Sequence, residues 1–161
     1  MMTGTQSLPE MVLRETPSRD LTEAELLMRK GLISDIGPVV GQPTLFLERI
    51  QADGETYVKK TEMMDRVKEM PGGPTGLSYA ERMLEQEDGI PVEWRGLTLV
   101  FTGTVWPGGK VGGCSRGYQA IVCAHYVGKW ILYLDSLIGD WFPFCRVVRV
   151  RLDTEGSEAG K

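Results

Sequence analysis

The chain has 161 residues, which is enough for one domain with a sizeable hydrophobic core. Hydrophobic residues make up 42% and charged residues 25% of the sequence, which excludes a largely disordered chain, a collagen-like repeat and a coiled coil. The formal net charge is −4, so the strongly basic footprint of a nucleic-acid-binding protein is absent. We therefore do not expect a nucleic-acid partner.

The ends of the sequence are polar. Residues 1–20 contain two prolines and show no sustained hydrophobic period, so we expect an arm that is flexible or bound to a partner. Residues 153–161 predict a solvated tail, which leaves residues 21–152 as a single domain. The first 20 residues lack the apolar stretch of a secretory signal, and no apolar run approaches the roughly 20 residues that cross a bilayer. We expect a protein without a membrane partner, in the cytoplasm or in a particle assembled there.

Three segments carry the signals of a helix start. Thr22–Glu25 is a capping box, in which the threonine and Glu25 side chains each satisfy a free backbone amide. Thr61 is positioned to cap a second, shorter helix. Ser78–Glu81 is another capping box and predicts a helix to about Asp88, with Gly89 as a left-handed C-terminal stop.

Strand signals dominate the rest of the chain. The predicted strands cover residues 44–50, 55–60, 97–106, 118–127, 130–136 and 144–152. Asp53-Gly54 has the turn chemistry that hairpins favour, so it predicts pairing of the first two strands. In the last strand, valines alternate in part with Arg146, Arg149 and Arg151, which predicts one solvent-facing side.

These elements predict an α+β fold, with an antiparallel sheet of four to six strands and two or three helices packed on it. The residues that we expect in the sheet core are Leu99, Phe101, Val122, Ala124, Ile131, Tyr133, Val148 and Val150. A ligand-binding barrel is disfavoured because so few strands do not close comfortably.

Three cysteines and a single histidine limit the metal chemistry of the chain. Cys114, Cys123 and Cys145 lack CxxC spacing, so a four-cysteine zinc site is excluded, and His125 alone excludes a histidine-rich centre. We therefore expect no metal and no cofactor. Cys123 and Cys145 lie in apolar strands and are expected to behave as small hydrophobic residues.

Two cysteines remain candidates for nucleophilic chemistry. Cys114 lies in a glycine-rich loop, where a thiol can be exposed and reactive. Cys123 shares a strand face with His125, although same-face neighbours are roughly 7 Å apart, too far for a direct thiol–imidazole bond. One alternative function is therefore a cysteine hydrolase or acyltransferase that uses Cys114 or Cys123 as nucleophile and His125 as base.

The order of a helix followed by strands resembles the papain-like thiol hydrolases, including the NlpC-type cell-wall peptidases, over roughly residues 70–152. The segments that carry the resemblance are Gly76-Leu77-Ser78-Tyr79-Ala80, Leu97-Thr98-Leu99-Val100-Phe101, Tyr118-Gln119-Ala120-Ile121-Val122 and Trp130-Ile131-Leu132-Tyr133-Leu134-Asp135-Ser136. In that family the nucleophilic cysteine begins the helix, a histidine opens a later strand, and a polar residue on the next strand orients the histidine.

The resemblance places Ser78 at the nucleophile position, Gln119 at the base position and Asp135 at the orienting position. Glutamine cannot accept a proton at neutral pH, so the resemblance implies a scaffold whose catalytic chemistry is lost. The loop between the predicted strands 118–127 and 130–136 decides which residue of the first strand lies opposite Asp135. A two-residue turn puts Asp135 opposite Val122, whereas a loop one residue longer puts it opposite Ile121, on the face of Gln119.

We therefore expect a non-catalytic binding or structural subunit on a degenerate hydrolase-like scaffold, as in a larger, virion-type assembly. Enzymatic activity is disfavoured because the base is missing. The expected partner is another protein or a second copy of the chain, bound through the arm of residues 1–20.

Overall fold

The fold is taken from a computed structural model, which describes residues 8–15, 35–36, 39–106 and 119–151. The strands are β1 (Met11–Val12), β2 (Thr44–Arg49), β3 (Val58–Lys59), β4 (Gly73–Pro74), β5 (Thr98–Trp106), β6 (Ala120–Tyr126), β7 (Trp130–Ser136), β8 (Asp140–Trp141) and β9 (Cys145–Arg151). The helices are α1 (Lys60–Arg66) and α2 (Leu77–Glu85), with 3₁₀ turns at Val67–Glu69, Glu87–Gly89 and Val92–Trp94.

Within the described ranges, the main sheet has seven strands. Six of them follow the order β1-β2-β9-β5-β6-β7, and β4 also pairs with β9, while β3 and β8 form a separate two-stranded sheet. The architecture fits the predicted α+β class, but the sheet is mixed rather than antiparallel because β5 and β9 run parallel. Two of the predicted helices are present in the described part of the chain, and the one expected from Thr22 lies outside it.

The predicted hairpin around Asp53-Gly54 is wrong. The turn itself forms, since Gly54 has a φ of 86° and the amide of Glu55 donates to the carbonyl of Ala52 at 3.0 Å. The flanking strands separate, however, and β2 pairs with β9 while β3 pairs with β8. Strand β9 pairs with six residues of β2, whereas β3 is only two residues long.

Strand β9 is buried on both faces, which corrects the expectation of a solvent-facing side. Val147 and Val148 point to opposite faces and both are fully buried, and Arg149 is 5% exposed. The cause is that a hydrophobic core packs on each side of the sheet. Val148 belongs to the core that contains residues of α2, and Val147 belongs to the core that contains Met63 of α1. Arg149 donates to the carbonyls of residues 70, 71 and 72, which follow the 3₁₀ turn after α1.

Each face of the sheet carries its own core. On one face, α2 packs through Leu77, Ala80 and Met83 against even-numbered residues of β6. On the other, α1 and the β3–β8 pair pack through residues such as Met63 and Trp141 against odd-numbered residues of β6. We call these the α2 face and the α1 face.

Six of the eight predicted core residues lie in the α2-face core, namely Leu99, Phe101, Val122, Ala124, Val148 and Val150. Ile131 and Tyr133 lie on the α1 face instead and are partly exposed. The cause is the loop before β7, which has three residues and thereby places Trp130, Leu132 and Leu134 on the α2 face.

The start and the end of α2 differ from the prediction. Ser78 does not cap the helix: the N-cap is Gly76, and the amide of Leu77 donates to the hydroxyl of Thr104 at 2.9 Å. The helix ends at Glu85, and Gly89 lies in a 3₁₀ turn without a positive φ. Similarly, α1 begins at Lys60 without a side-chain cap, so Thr61 is not its cap.

Residues 8–15 form part of the domain, whereas the sequence predicted an arm. Strand β1 pairs with β2, and Leu13 is fully buried. The backbone of Arg14 and the side-chain amide of Gln86 exchange two hydrogen bonds of 2.7 Å, and the indole of Trp94 donates to the carbonyl of Pro9 at 3.0 Å. The rest of the predicted arm and the predicted tail of residues 153–161 lie outside the described residues.

Candidate functional site

The structure does not bring Ser78, Gln119 and Asp135 together. Ser78 is the second residue of α2, which covers the α2 face. Asp135 lies opposite Ile121 on the α1 face, and strand alternation places Gln119 on that same face. The sheet therefore separates the serine from the other two positions, and no acid–base relay between them can form.

The loop between β6 and β7 has the three-residue geometry. The amide of Val127 donates to the carbonyl of Lys129 at 2.9 Å, and Gly128 has a φ of 88° that suits glycine. This geometry places Asp135 opposite Ile121 and not Val122, as the resemblance requires. The register alone does not create a site, because the carboxylate of Asp135 is bonded elsewhere.

Cys123 is poorly suited to act as a nucleophile. The residue is fully buried, and burial, with a smaller contribution from Asp135, raises the pKa of its thiol above the ordinary value of 9.0. The ring of His125 packs on Tyr133, with 4.8 Å between the ring centroids. Burial also raises the pKa of the Cys145 thiol. Cys114 lies outside the described residues.

Lys60 is a nearly buried cation for which no sequence pattern predicted a role. Its ammonium lies 3.1 Å from Oδ1 of Asp135, 3.1 Å from the carbonyl oxygen of Ser136 and 4.5 Å from the centroid of the Trp141 ring. These contacts engage the ammonium and one carboxylate oxygen, so the group joins α1 to β7. Among the described residues, no cluster of three or more His, Cys, Asp or Glu could hold a metal ion.

The exposed residues offer a different kind of site. Tyr57, Phe142 and Phe144 are 57%, 48% and 49% exposed, and we call them the aromatic surface. Phe142 and Phe144 are stacked with 5.6 Å between centroids, and Tyr57 meets Phe142 edge-on at the same distance. A turn from β8 to β9, in which the amide of Cys145 donates to the carbonyl of Phe142 at 3.0 Å, carries Phe142 and Phe144, and Tyr57 directly precedes β3.

Two arginines lie next to the aromatic surface. Arg49 and Arg146 are direct cross-strand neighbours in β2 and β9. The guanidinium of Arg146 donates to the carbonyls of Pro143 and Cys145, at 2.5 and 3.0 Å, so it lies against the turn that carries the two phenylalanines. Burial lowers the pKa of Arg146, and the positive charge of Arg49 lowers it further. Like charges directly opposite each other destabilise a sheet.

No sequence pattern predicted the aromatic surface. Tyr57 and Phe142 are 85 positions apart by residue number, and they meet because β3 pairs with β8. A run of aromatic residues around Phe142 and Phe144 was a signal in the sequence, but it did not show which rings would stay exposed.

No protein-family model, no curated protein and no solved structure matches the chain. The resemblance to papain-like hydrolases therefore stays a prediction. No helix in the described ranges has the length and apolar character needed to cross a membrane.

Proposed function

We propose that the chain is a non-catalytic subunit that binds a protein partner through its aromatic surface. The observation that carries the proposal is the contact of Phe142 with both Tyr57 and Phe144 while each of the three rings remains about half exposed. Contiguous exposed apolar groups mark interaction sites, and aromatic residues are enriched in the buried centres of interfaces. A subunit of a larger assembly would use such a surface.

The neighbouring arginines favour a partner segment that is both apolar and acidic. Arg49 and Arg146 repel each other across β2 and β9. Carboxylates placed between them would relieve that repulsion, and guanidinium groups bind carboxylates with two parallel hydrogen bonds. A protein is favoured over a nucleic acid because the chain has a net charge of −4.

The placement of the reactive groups supports the non-catalytic part of the proposal. Ser78 is on the opposite face of the sheet from Asp135, which is bonded to Lys60. Cys123 is buried and its thiol pKa is raised. The alternative function, a cysteine hydrolase that uses Cys114 and His125, predicts instead that the protein turns over a substrate and that replacing either residue abolishes this turnover.

The first step is to incorporate a photo-crosslinking amino acid at position 142 of the chain, expressed in its native source. A separate variant of the chain carries the same amino acid at position 40. Val40 is 77% exposed and precedes the opposite end of β2, so it reports contacts unrelated to the aromatic surface. We expect a protein that is crosslinked from position 142 and not from position 40. Equal crosslinking from both positions would contradict the proposal.

The crosslinked protein is then purified and titrated against the wild type, the double variant Phe142→Ser/Phe144→Ser and the control Val40→Ser. We expect the double variant to weaken the Kd at least about 30-fold, since interface anchors each contribute about 1–2 kcal/mol or more. Arg49→Gln should weaken binding less and reduce its dependence on salt. An unchanged Kd in the double variant would refute the proposed surface.

A further inference from the structure

Strand β7 forms one edge of the main sheet. It pairs with β6 on one side, and no other strand of the described residues pairs with its outer side. The strand is seven residues long, contains no proline and has Asp135 as its one charged residue. Monomeric proteins commonly protect such an edge with lysines, prolines, bulges or inward-pointing charges. Of these devices, the described residues of β7 carry one inward-pointing charge, Asp135 near the end of the strand, so the central residues 131–134 are unprotected.

The backbone of the even-numbered residues of β7 points outward. The amide of Leu137 donates to the carbonyl of Gln119, and the amide of Val127 donates to the carbonyl of Lys129. The odd-numbered residues of β6 and β7 are therefore the ones that exchange backbone hydrogen bonds with each other. The amides and carbonyls of Leu132 and Leu134 therefore point away from β6, in the plane of the sheet. They form the centre of the exposed edge.

The two ends of this edge carry opposite charges. At the first end, the amide of Trp130 donates to the carboxylate of Glu87 at 3.0 Å. At the other end, the carbonyl of Ser136 accepts from the ammonium of Lys60 at 3.1 Å. A carboxylate thus marks the start of β7, and an ammonium that also pairs with Asp135 marks its end.

We propose that β7 pairs antiparallel with β7 of a second copy of the chain, and that the two sheets continue into one. A two-fold axis at Tyr133 places Leu132 of each copy opposite Leu134 of the other. The outward amides and carbonyls of these residues then make four hydrogen bonds across the interface. The two tyrosines lie opposite each other, and aromatic cross-strand pairs are favourable.

The charges at the ends of β7 favour a second copy over an unrelated strand. In the two-fold arrangement, Trp130 of one copy faces Ser136 of the other. This brings Glu87 of each copy to the same end of the strand pair as the Lys60–Asp135 ion pair of the other, where the Lys60 ammonium lies at the outward carbonyl of Ser136. Asp135 faces Ile131 of the second copy, so no like charges are directly opposite.

The outer edge of β7 shares no residue with the aromatic surface, which Tyr57 and the turn before β9 form. The variant Phe142→Ser/Phe144→Ser is therefore expected to leave the dimer intact. Failure of one proposal leaves the other unaffected.

The first test is sedimentation of the full chain over a range of concentrations, together with amide exchange of the β7 residues. We expect a reversible dimer in which the amides of Leu132 and Leu134 exchange at least about 100-fold more slowly above the dimer Kd than far below it. The amide of Tyr133, which bonds to β6, is the internal control and should not respond to dilution. A chain that remains monomeric up to millimolar concentration would overturn the proposal.

Exchange also distinguishes other occupants of the edge. Slow exchange of Leu132 and Leu134 at every concentration would show that another segment of the same chain covers β7, and would overturn the proposal. Fast exchange of both amides in a confirmed dimer would place the interface elsewhere and would also overturn it.

The second test compares Leu132→Pro with Leu132→Ala. Proline removes the outward amide without removing a β6–β7 hydrogen bond, whereas alanine shortens the same side chain and keeps the amide. Two amides are lost per dimer, so we expect proline to weaken dimerisation roughly 30-fold beyond the effect of alanine. Equal dimerisation by the two variants would contradict edge pairing. Amide exchange on the wild type keeps the proposal testable if the proline variant fails to fold.

Discussion

The ammonium of Lys60 lies 3.1 Å from Oδ1 of Asp135, although 75 residues separate them along the chain. The Lys60 side chain is 10% exposed and that of Asp135 is 32% exposed. The pair joins the first residue of α1 to the edge strand of the main sheet. It holds the α1 layer against the face of the sheet that carries Cys123.

Replacing Lys60 by methionine should destabilise the protein by about 2–3 kcal/mol, because the change leaves a partly buried carboxylate without its cation. Urea unfolding of Lys60→Met, Asp135→Asn and the double variant measures the effect and its coupling. The control is Lys59→Met, an exposed neighbour expected to change stability by less than about 0.5 kcal/mol. Purely additive single effects would show that the two side chains are not coupled.

The start of α2 depends on Thr104 and not on Ser78. Thr104 is fully buried, accepts from the amide of Leu77 at 2.9 Å and donates to Oδ1 of Asp35 at 2.6 Å. Thr104→Val should therefore cost about 1–3 kcal/mol in unfolding free energy, since it leaves buried polar groups without partners. Ser78→Ala should cost less than about 0.5 kcal/mol. If chemical denaturation showed a larger loss of unfolding free energy in Ser78→Ala than in Thr104→Val, the capping box predicted from the sequence would be supported instead.

Arg149 holds residues 70–72, which follow the 3₁₀ turn after α1, to the sheet. It donates to three consecutive carbonyls, and burial lowers the pKa of its guanidinium. Arg149→Met should lower the unfolding free energy by about 2–4 kcal/mol, because several hydrogen bonds to a charged group are lost. Arg151→Met, at an exposed position that pairs with Glu10, is the comparison and should cost about 0–1 kcal/mol. Equal losses of unfolding free energy in Arg149→Met and Arg151→Met would contradict this role of Arg149.

Glu55 provides a pH-dependent contact on the surface. Hydrogen bonds from Arg66, then one from the amide of Ala52, lower the pKa of its carboxyl from 4.5 to about 2. Because the folded-state pKa is the lower one, the stabilisation is fully present above about pH 4.5 and is lost as the pH falls towards 2. Carboxyl chemical shifts followed by NMR should show this midpoint in the wild type. In Arg66→Met the midpoint should return towards 4.5, and an ordinary midpoint in the wild type would refute the contact.

The buried thiols should be unreactive in the folded protein. Burial raises the pKa values of both Cys123 and Cys145, so each remains a neutral thiol at pH 8. In intact-mass measurements with a thiol-directed probe, we expect modification of both residues after denaturation and of neither in the folded state. A serine-directed probe should likewise leave Ser78 unmodified. Rapid, fold-dependent labelling of Cys123 would revive the hydrolase alternative.

The sequence by itself determined the local elements that have one dominant signal. Strands β5, β7 and β9 lie where apolar and β-branched runs predicted them, and α2 follows the predicted amphipathic segment. Proline, glycine and the hydrophobic period act within a few residues, so they are visible without knowledge of the fold. The identity of six core residues on the α2 face followed from the same patterns.

The tertiary structure alone decided the partners of these elements. It inserted β9 between β2 and β5, set the three-residue loop before β7 and placed Thr104 at the start of α2. It also put Ser78 and Asp135 on opposite faces and left Tyr57, Phe142 and Phe144 exposed. Strand pairing and burial depend on contacts between residues distant in the chain, and a one-residue change of register moves every side chain of a strand to the other face.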